Sequence, residues 1–337
     1  ALLIAGWVLS NYQATMTGFP PVASLTPWGW TLDHLPLAGQ PDWPSLLLPA
    51  GVAILLLVIG VEAFARRDLG STSALPMPGL PVATLGLGGP VARSFGERLP
   101  VVVAWGLGVG ALGLMLSGIS RVVADAFRAS PDLHDLFGRM FPGLDIGTVG
   151  GFLQLMVQLL YIIAGFAAAT LVAGWASDET TGRLEMLLTT PLGRRRWALR
   201  SAAGVVLAIG AMALLVAAGV GIGALASGGD ALAPCLGALA LGAYAAALAG
   251  VGFAVGGLRA SIAAEAVAAL VIATYLVDLL APAFGLPAWV HQLALTSHLG
   301  QPMVGAWDWV GIGLCVAMAA GGTLVGAWAI GRRDVAR

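Results

Sequence analysis

All sixteen basic side chains of this 337-residue chain are arginines. Without lysine there is no ammonium to reach nucleotide phosphates from a glycine-rich loop, and none to form a Schiff base with a carbonyl substrate. The two thiols, Cys235 and Cys315, stand singly in or beside apolar stretches and form neither a C-x-x-C pair nor a Cys/His cluster. They read as buried free thiols. The four histidines (His34, His134, His291, His298) fall outside the apolar stretches, and none belongs to an H-E-x-x-H arrangement. No metal site and no bound cofactor is therefore expected. Paired aspartates and a serine with a neighbouring base, which an enzyme would need at membrane depth, are not evident either. A formal net charge of -1 supplies no basic field for nucleic acid. What remains is the chemistry of recognition: ion pairs, amide hydrogen bonds and apolar anchors.

Two groups of residues carry it. The stretch Ala176 to Arg200, ASDETTGRLEMLLTTPLGRRRWALR, is densely charged between strongly apolar segments. It predicts a short helix, with Asp178 and Glu179 in an acidic first turn, Leu184, Leu187 and Leu188 at i, i+3, i+4, and Pro191 ending it before Arg194, Arg195 and Arg196 meet the membrane surface. One greasy and one charged face suit docking onto another protein. The same pattern also suits lying along lipid with the arginines on anionic headgroups. The second group, Gln154, Gln158 and Tyr161, is spaced i, i+4, i+7 along an apolar stretch. On one helical face these side chains either tie helices together or line a passage. Glu265 and Asp278 sit at opposite ends of another stretch and Glu62 near the end of a third, where they can snorkel to water.

The elements that must position these groups are membrane spans. Hydrophobic residues make up 58% of the chain and charged ones 10%, with a mean hydropathy of +0.91, a balance far from the roughly 25% charge of soluble domains. Spans are expected at residues 46–64, 99–119, 151–175, 197–225, 232–257, 262–280 and 310–330, each near the roughly 20 residues that cross a bilayer. Ala1 to Leu9 are expected to be the end of a further span, making the chain a fragment. Residues 10–44 are rich in Pro, Gly and Trp, as at a non-cytoplasmic interface, and residues 70–90 recur in Pro and Gly as a linker. Arg121 to Phe141 is amphipathic, with Ser130-Pro131-Asp132 opening a further short helix. Gly106-x-x-x-Gly110, Gly252-x-x-x-Gly256 and Gly322-x-x-x-Gly326 offer small faces for close helix contact.

Alternating spans put thirteen arginines (66, 67, 93, 98, 183, 194, 195, 196, 200, 259, 332, 333, 337) on one side and three (121, 128, 139) on the other. The positive-inside rule makes the first side cytoplasmic, C-terminus included. The order of signals also repeats. Asp42-Trp43 precedes a span ending in Arg66-Arg67-Asp68, and Asp308-Trp309 precedes one ending in Arg332-Arg333-Asp334, at an offset of 266 in both places. Upstream, Leu25-Thr26 matches Leu295-Thr296. Duplicated halves are common among transporters.

The positions Glu179, Gly182, Arg183, Leu184, Glu185, Leu187, Leu188, Thr190, Pro191, Arg194 and Trp197 resemble the E-x-x-x-G-x-L-E-x-L-L-x-T-P-x-x-R-x-x-W pattern of bacterial type-2 ABC exporter permeases. Among these the chain is most similar to the polyketide-antibiotic and multidrug permeases, whose single chains carry two six-helix halves. The resemblance covers residues 93–337 and extends to Leu25-Thr26-Pro27-Trp28-Gly29-Trp30. It implies an all-α polytopic transmembrane helix bundle: the end of a first half at 1–69, a cytoplasmic linker at 70–98, and a second six-helix half at 99–337 with an external helical cap at 120–145 and a coupling helix at 177–192. It further implies that ATP is hydrolysed on a separate ABC ATPase, as a dimer, which receives the coupling helix. Leu184, Leu187 and Leu188 would be the anchors and Arg183 and Glu185 the rim. The permease would export hydrophobic, antibiotic-like or lipid-like compounds across the bacterial inner membrane and hold no cofactor itself. An ion-coupled secondary transporter, which would want a mid-span carboxylate, and a non-transporting assembly subunit stay open as alternatives.

Overall fold

A computed structural model describes residues 26–27, 29–31, 34–35, 39, 42–65, 88–132, 137–138, 144–189 and 193–333. The chain is an all-α polytopic membrane helix bundle, and among the described residues seven stretches are long and apolar enough to cross a membrane. They divide between two compact units, Ala1–Gly79 and Leu80–Arg337.

In the first unit the Thr26 hydroxyl accepts from the Gly29 amide at 3.1 Å and starts the 3-10 turn Gly29–Thr31. A second 3-10 turn, Pro44–Leu46, runs into α1, Leu47–Ala65, which is apolar until Glu62. In the second unit a 3-10 turn at Leu295–Leu299 likewise precedes an Asp-Trp pair and a span. The residues 66–68 and 334 that complete the repeated signals lie outside the described residues.

The second unit holds six spans. α2 (Pro90–Ala129), α5 (Arg194–Ala226) and α8 (Ala263–Ala283) run from one end of the bundle to the other, and α3 (Val149–Thr180), α7 (Ala240–Leu258) and α10 (Trp309–Ile330) return. Between them lie α4 (Arg183–Leu188), α6 (Leu232–Gly237) and α9 (Ala288–His291). α2 packs along α5 and α7 along α10, while α3 touches both pairs and α8. The helices of each pair approach backbone to backbone. A Cβ on Gly219 would lie 2.1 Å from the Gly110 carbonyl oxygen, and one on Gly322 equally close to that of Gly250. Two of the three expected glycine spacings therefore lie at crossings, where removing side chains lets dispersion act between backbones. The third, Gly252 and Gly256, receives the side chains of Val172 and Trp175 from α3.

Several limits differ from the sequence reading. α2 begins at Pro90, upstream of the expected Leu99, because the polar residues that hydropathy excludes from a span, Ser94 and Arg98, are buried and hydrogen-bonded within the bundle. At 40 residues it is about 60 Å long, well over the hydrocarbon thickness. Its far end continues unbroken through the amphipathic stretch to Ala129, so Arg121 to Ala129 prolong the span rather than start a separate cap. Ser130 closes the helix, and residues 131–132 and 137–138 are again helical. The return to α10 is a compact loop in which β1 (Gly300–Gln301) pairs antiparallel with β2 (Ala306–Trp307). Asp308 then caps α10, accepting from the Val310 and Gly311 amides at 3.0 Å each.

Candidate functional site

The charged stretch after α3 is built differently from the single helix its sequence predicts. Asp178 and Glu179 occupy the last turn of α3, not the first turn of a new helix. No breaker separates them from the apolar run before them, so α3 continues until Gly182, whose φ of +74° turns the chain back. Only Arg183–Leu188 then forms α4, which packs against α3. Thr189 closes it, and Thr190 and Pro191 lie outside the described residues.

This turn decides which side chains face outward. Leu184, expected as a docking anchor, is 0% exposed and belongs to the protein's own core. Leu187 and Leu188 are half-buried. The apolar side chain that does stand out is Met186, at 67% exposure, flanked by exposed Glu185. Arg183 is half-exposed and reaches back toward two acids of its own chain, Glu97 at 3.9 Å and Asp178 at 4.0 Å. Glu97 in turn accepts from Arg93 Nε at 2.9 Å.

Behind α4 the helices are tied side chain to side chain. Glu179 Oε2 accepts from Arg333 Nη2 at 2.6 Å, the same nitrogen donates to the Gly256 carbonyl at 3.2 Å, and Arg194 Nη1 donates to the Arg333 carbonyl at 2.8 Å. The ends of α3 and α7, the start of α5 and the residues after α10 thus meet at one residue, Arg333. Deeper, the buried Trp197 stacks on Trp175 with ring centroids 5.7 Å apart, and Trp175 meets Phe253 edge-on at 5.0 Å. The Trp175 indole donates to Ser201 Oγ at 2.9 Å, and Ser201 Oγ donates to the Trp197 carbonyl at 2.7 Å. Ser94 Oγ donates to the Ser201 carbonyl at 2.7 Å, and Arg98 Nη1 donates to the Ser94 carbonyl at 2.8 Å and its hydroxyl at 2.9 Å. The end of α3, which adjoins α4, is thus linked to α2, α5, α7 and the residues after α10.

The second polar group separates into three environments. Gln154 Oε1 accepts from the Met303 amide at 3.0 Å and fastens α3 to the loop before α10. Gln158 is half-buried. Tyr161 is fully buried edge-on to Tyr244, with centroids 5.1 Å apart, and its hydroxyl has no partner among the described residues. Asp278 accepts a hydrogen bond from the Thr296 hydroxyl, so it holds a loop where the sequence suggested snorkelling. Elsewhere an apolar crevice of about 640 Å³ opens between α2, α5 and α7, lined among others by Phe95, Leu207, Leu214 and Leu239. No group of three or more His, Cys, Asp or Glu among the described residues could hold a metal ion.

Sequence reasoning missed Met186, Arg98, Ser201 and the partnership of Arg333 with Glu179. Met186 stands one position from the predicted face and follows only from knowing where α3 ends. The other partners are separated by up to 154 residues, and no local pattern couples them.

Residues 87–330 match a family model described as the C-terminal domain of the multidrug efflux system permease Rv1217c. The chain is also 29% identical over 323 residues to the multidrug efflux system permease protein Rv1217c of Mycobacterium tuberculosis, an alignment covering 92% of this chain and 57% of that protein. The chain thus spans little more than half the length of that curated relative. Six apolar spans in one compact unit, with a charged turn between the second and third braced by side chains from several helices, occupy the matched region, and on that match the chain belongs to the family of the multidrug efflux permease C-terminal domain.

Proposed function

We propose that this chain is the membrane-embedded permease part of an ATP-driven ABC exporter, moving hydrophobic, drug-like or lipid-like compounds outward across the bacterial inner membrane. ATP binding and hydrolysis belong to a separate cytoplasmic ATPase, as a dimer, and the permease itself holds no cofactor. The observation that carries this reading is the exposed tip of α4, Arg183, Glu185 and Met186, on a helix whose opposite side is buried through Leu184 and which follows the end of α3 where Glu179 pairs with Arg333. A surface built to be pushed needs both an outward contact and a rigid inward connection. The arginine count supports a cytoplasmic position for this tip and for the C-terminus. Closure of the two ATPase subunits would press on α4, and the ion pair and stacked indoles behind it would carry the movement into the spans. The apolar crevice between α2, α5 and α7 has the chemistry of a hydrophobic passenger's surroundings, and the efflux role in the relative's description supports that substrate class. Gln158 and Tyr161 are the polar residues on α3 that would line a passage, whereas Gln154 serves structure.

The test is co-purification of the full-length protein with an ATPase encoded beside it, comparing wild type with Met186→Asp. Leu184→Asp does not serve, because a charge at that buried position disrupts the fold. Stoichiometric capture by wild type that falls roughly thirtyfold in Met186→Asp, with unchanged thermal stability, supports the reading, since a central apolar anchor is worth about 2 kcal/mol. Failure of folded wild type to hold any ATPase overturns it and brings ion-coupled transport forward.

A further inference from the structure

The three arginines that open α5 line a cavity of about 550 Å³ together with Gly193 and Gly331. The cavity lies between the first turn of one span and the last residues of another. Arg195 lies across Gly331, where a Cβ would come within 2.5 Å of its Nε and 2.7 Å of its Cγ, so the glycine leaves room for this side chain. Arg194 is turned inward to the Arg333 carbonyl. Arg195 and Arg196 are exposed, and neither forms an ion pair among the described residues. Among those residues the lining carries no carboxylate.

Three like charges within one helical turn repel each other, and here they also oppose the positive end of the helix dipole. The first turn of α5 contains no acidic residue to offset this, and Gly193 offers no capping side chain. Three other arginines of the same unit each face a carboxylate: Arg93 that of Glu97, Arg128 that of Asp125 and Arg333 that of Glu179. The depth of the cavity is marked by its neighbour Arg332, whose guanidinium lies 4.3 Å from the ring centroid of Trp328, an indole and arginine pair of the kind that anchors a span at the headgroup level. At that level a cavity of positive charge faces lipid phosphates, which arginine forks bind by paired hydrogen bonds.

We propose that Arg195 and Arg196, with Gly331 as the floor, form a binding site for the phosphate of an anionic phospholipid on the arginine-rich side of the membrane. The lipid supplies a counter-charge that no described residue gives Arg195 and Arg196, and it holds the start of α5 against the end of α10, next to the Arg333 and Glu179 pair.

The experiment uses the full-length protein extracted in detergent and reconstituted in nanodiscs, with bound lipid read by native mass spectrometry after exposure to phosphatidylglycerol or phosphatidylcholine. Wild type should retain phosphatidylglycerol on the order of tenfold better than phosphatidylcholine. The Arg195→Gln, Arg196→Gln double variant should bind phosphatidylglycerol roughly thirtyfold more weakly than wild type and lose the preference, as expected for about one unit of surface attraction per arginine. Arg195→Lys with Arg196→Lys should keep most of it, and Arg128→Gln, at the other end of the bundle, should change nothing. Equal retention of the two lipids by wild type, or undiminished phosphatidylglycerol binding by the glutamine variant, overturns the proposal. So does full displacement of the lipid by millimolar inorganic phosphate, which would assign the cavity to a free anion.

Discussion

The two ends of the second unit are held together by opposite means. At the arginine-rich end, helices are joined by side chains: the Arg333 and Glu179 ion pair, the Trp175 and Trp197 stack, and the serine and arginine chain running from Ser201 to Arg98. At the other end most joints use a backbone atom, the Asp278 and Thr296 side-chain pair being an exception. Asp308 and Thr148 cap their helices, Gln154 holds a loop amide, and a Cβ on Gly311 would fall 1.7 Å from the His298 carbonyl oxygen. Side-chain joints have rotamers and can shift as a connected set. Backbone joints against glycine have one arrangement. The difference teaches which contacts hold each end: replaceable side chains at the end bearing α4, and a frame of caps and close glycine contacts at the other.

That contrast can be broken most severely at the indole stack. Trp197→Ala should lower stability by about 3–5 kcal/mol, with loss of the monodisperse detergent peak on heating, while Trp197→Phe should recover most of it. At the frame end, Gly311→Ala should cost about 1–3 kcal/mol or more, because the loop before α10 must move to admit one methyl group, and no other residue rescues it. Arg333→Gln leaves Glu179, 14% exposed, without its counter-charge, and should cost about 2 kcal/mol. A double-mutant cycle with Glu179→Gln checks it: a coupling indistinguishable from zero would remove the pair from the joints of this end. Its sharper readout is transport, which should fall further than stability does if the pair carries movement under the proposed mechanism. The smallest effect is expected from Arg128→Ala, which breaks an exposed pair with Asp125 and should change stability by about 0.5 kcal/mol or less. A loss near that of Arg333→Gln would mean that both ends rely on charge and that the contrast is false.

Much of the frame was legible in the residues alone. The seven spans are long apolar runs with few charges, and hydropathy finds such runs because burying an unpaired charge in hydrocarbon is costly. The ends were less legible for the same reason. Pro90 to Arg98 looked like linker because Ser94 and Arg98 are polar, and only their hydrogen-bond partners reveal that α2 already exists there. In the charged stretch, the leucine spacing correctly marked a helix at Leu184 to Leu188, but the acidic pair before it was assigned to the wrong helix. Asp178 and Glu179 end α3 because no breaker separates them from its apolar run, and there Glu179 meets Arg333 at 2.6 Å.

The sequence by itself determined that this chain lives in a membrane, how many times its described part can cross, and which ends share a side. These follow from composition and from charge counted loop by loop, and no folding is needed to read them. Tertiary structure decided which face of α4 is presented, that Trp197 is core and not surface, and that Gln154 fastens a loop. Those outcomes rest on contacts between residues as much as 154 positions apart, whose energies exist only after the helices have packed.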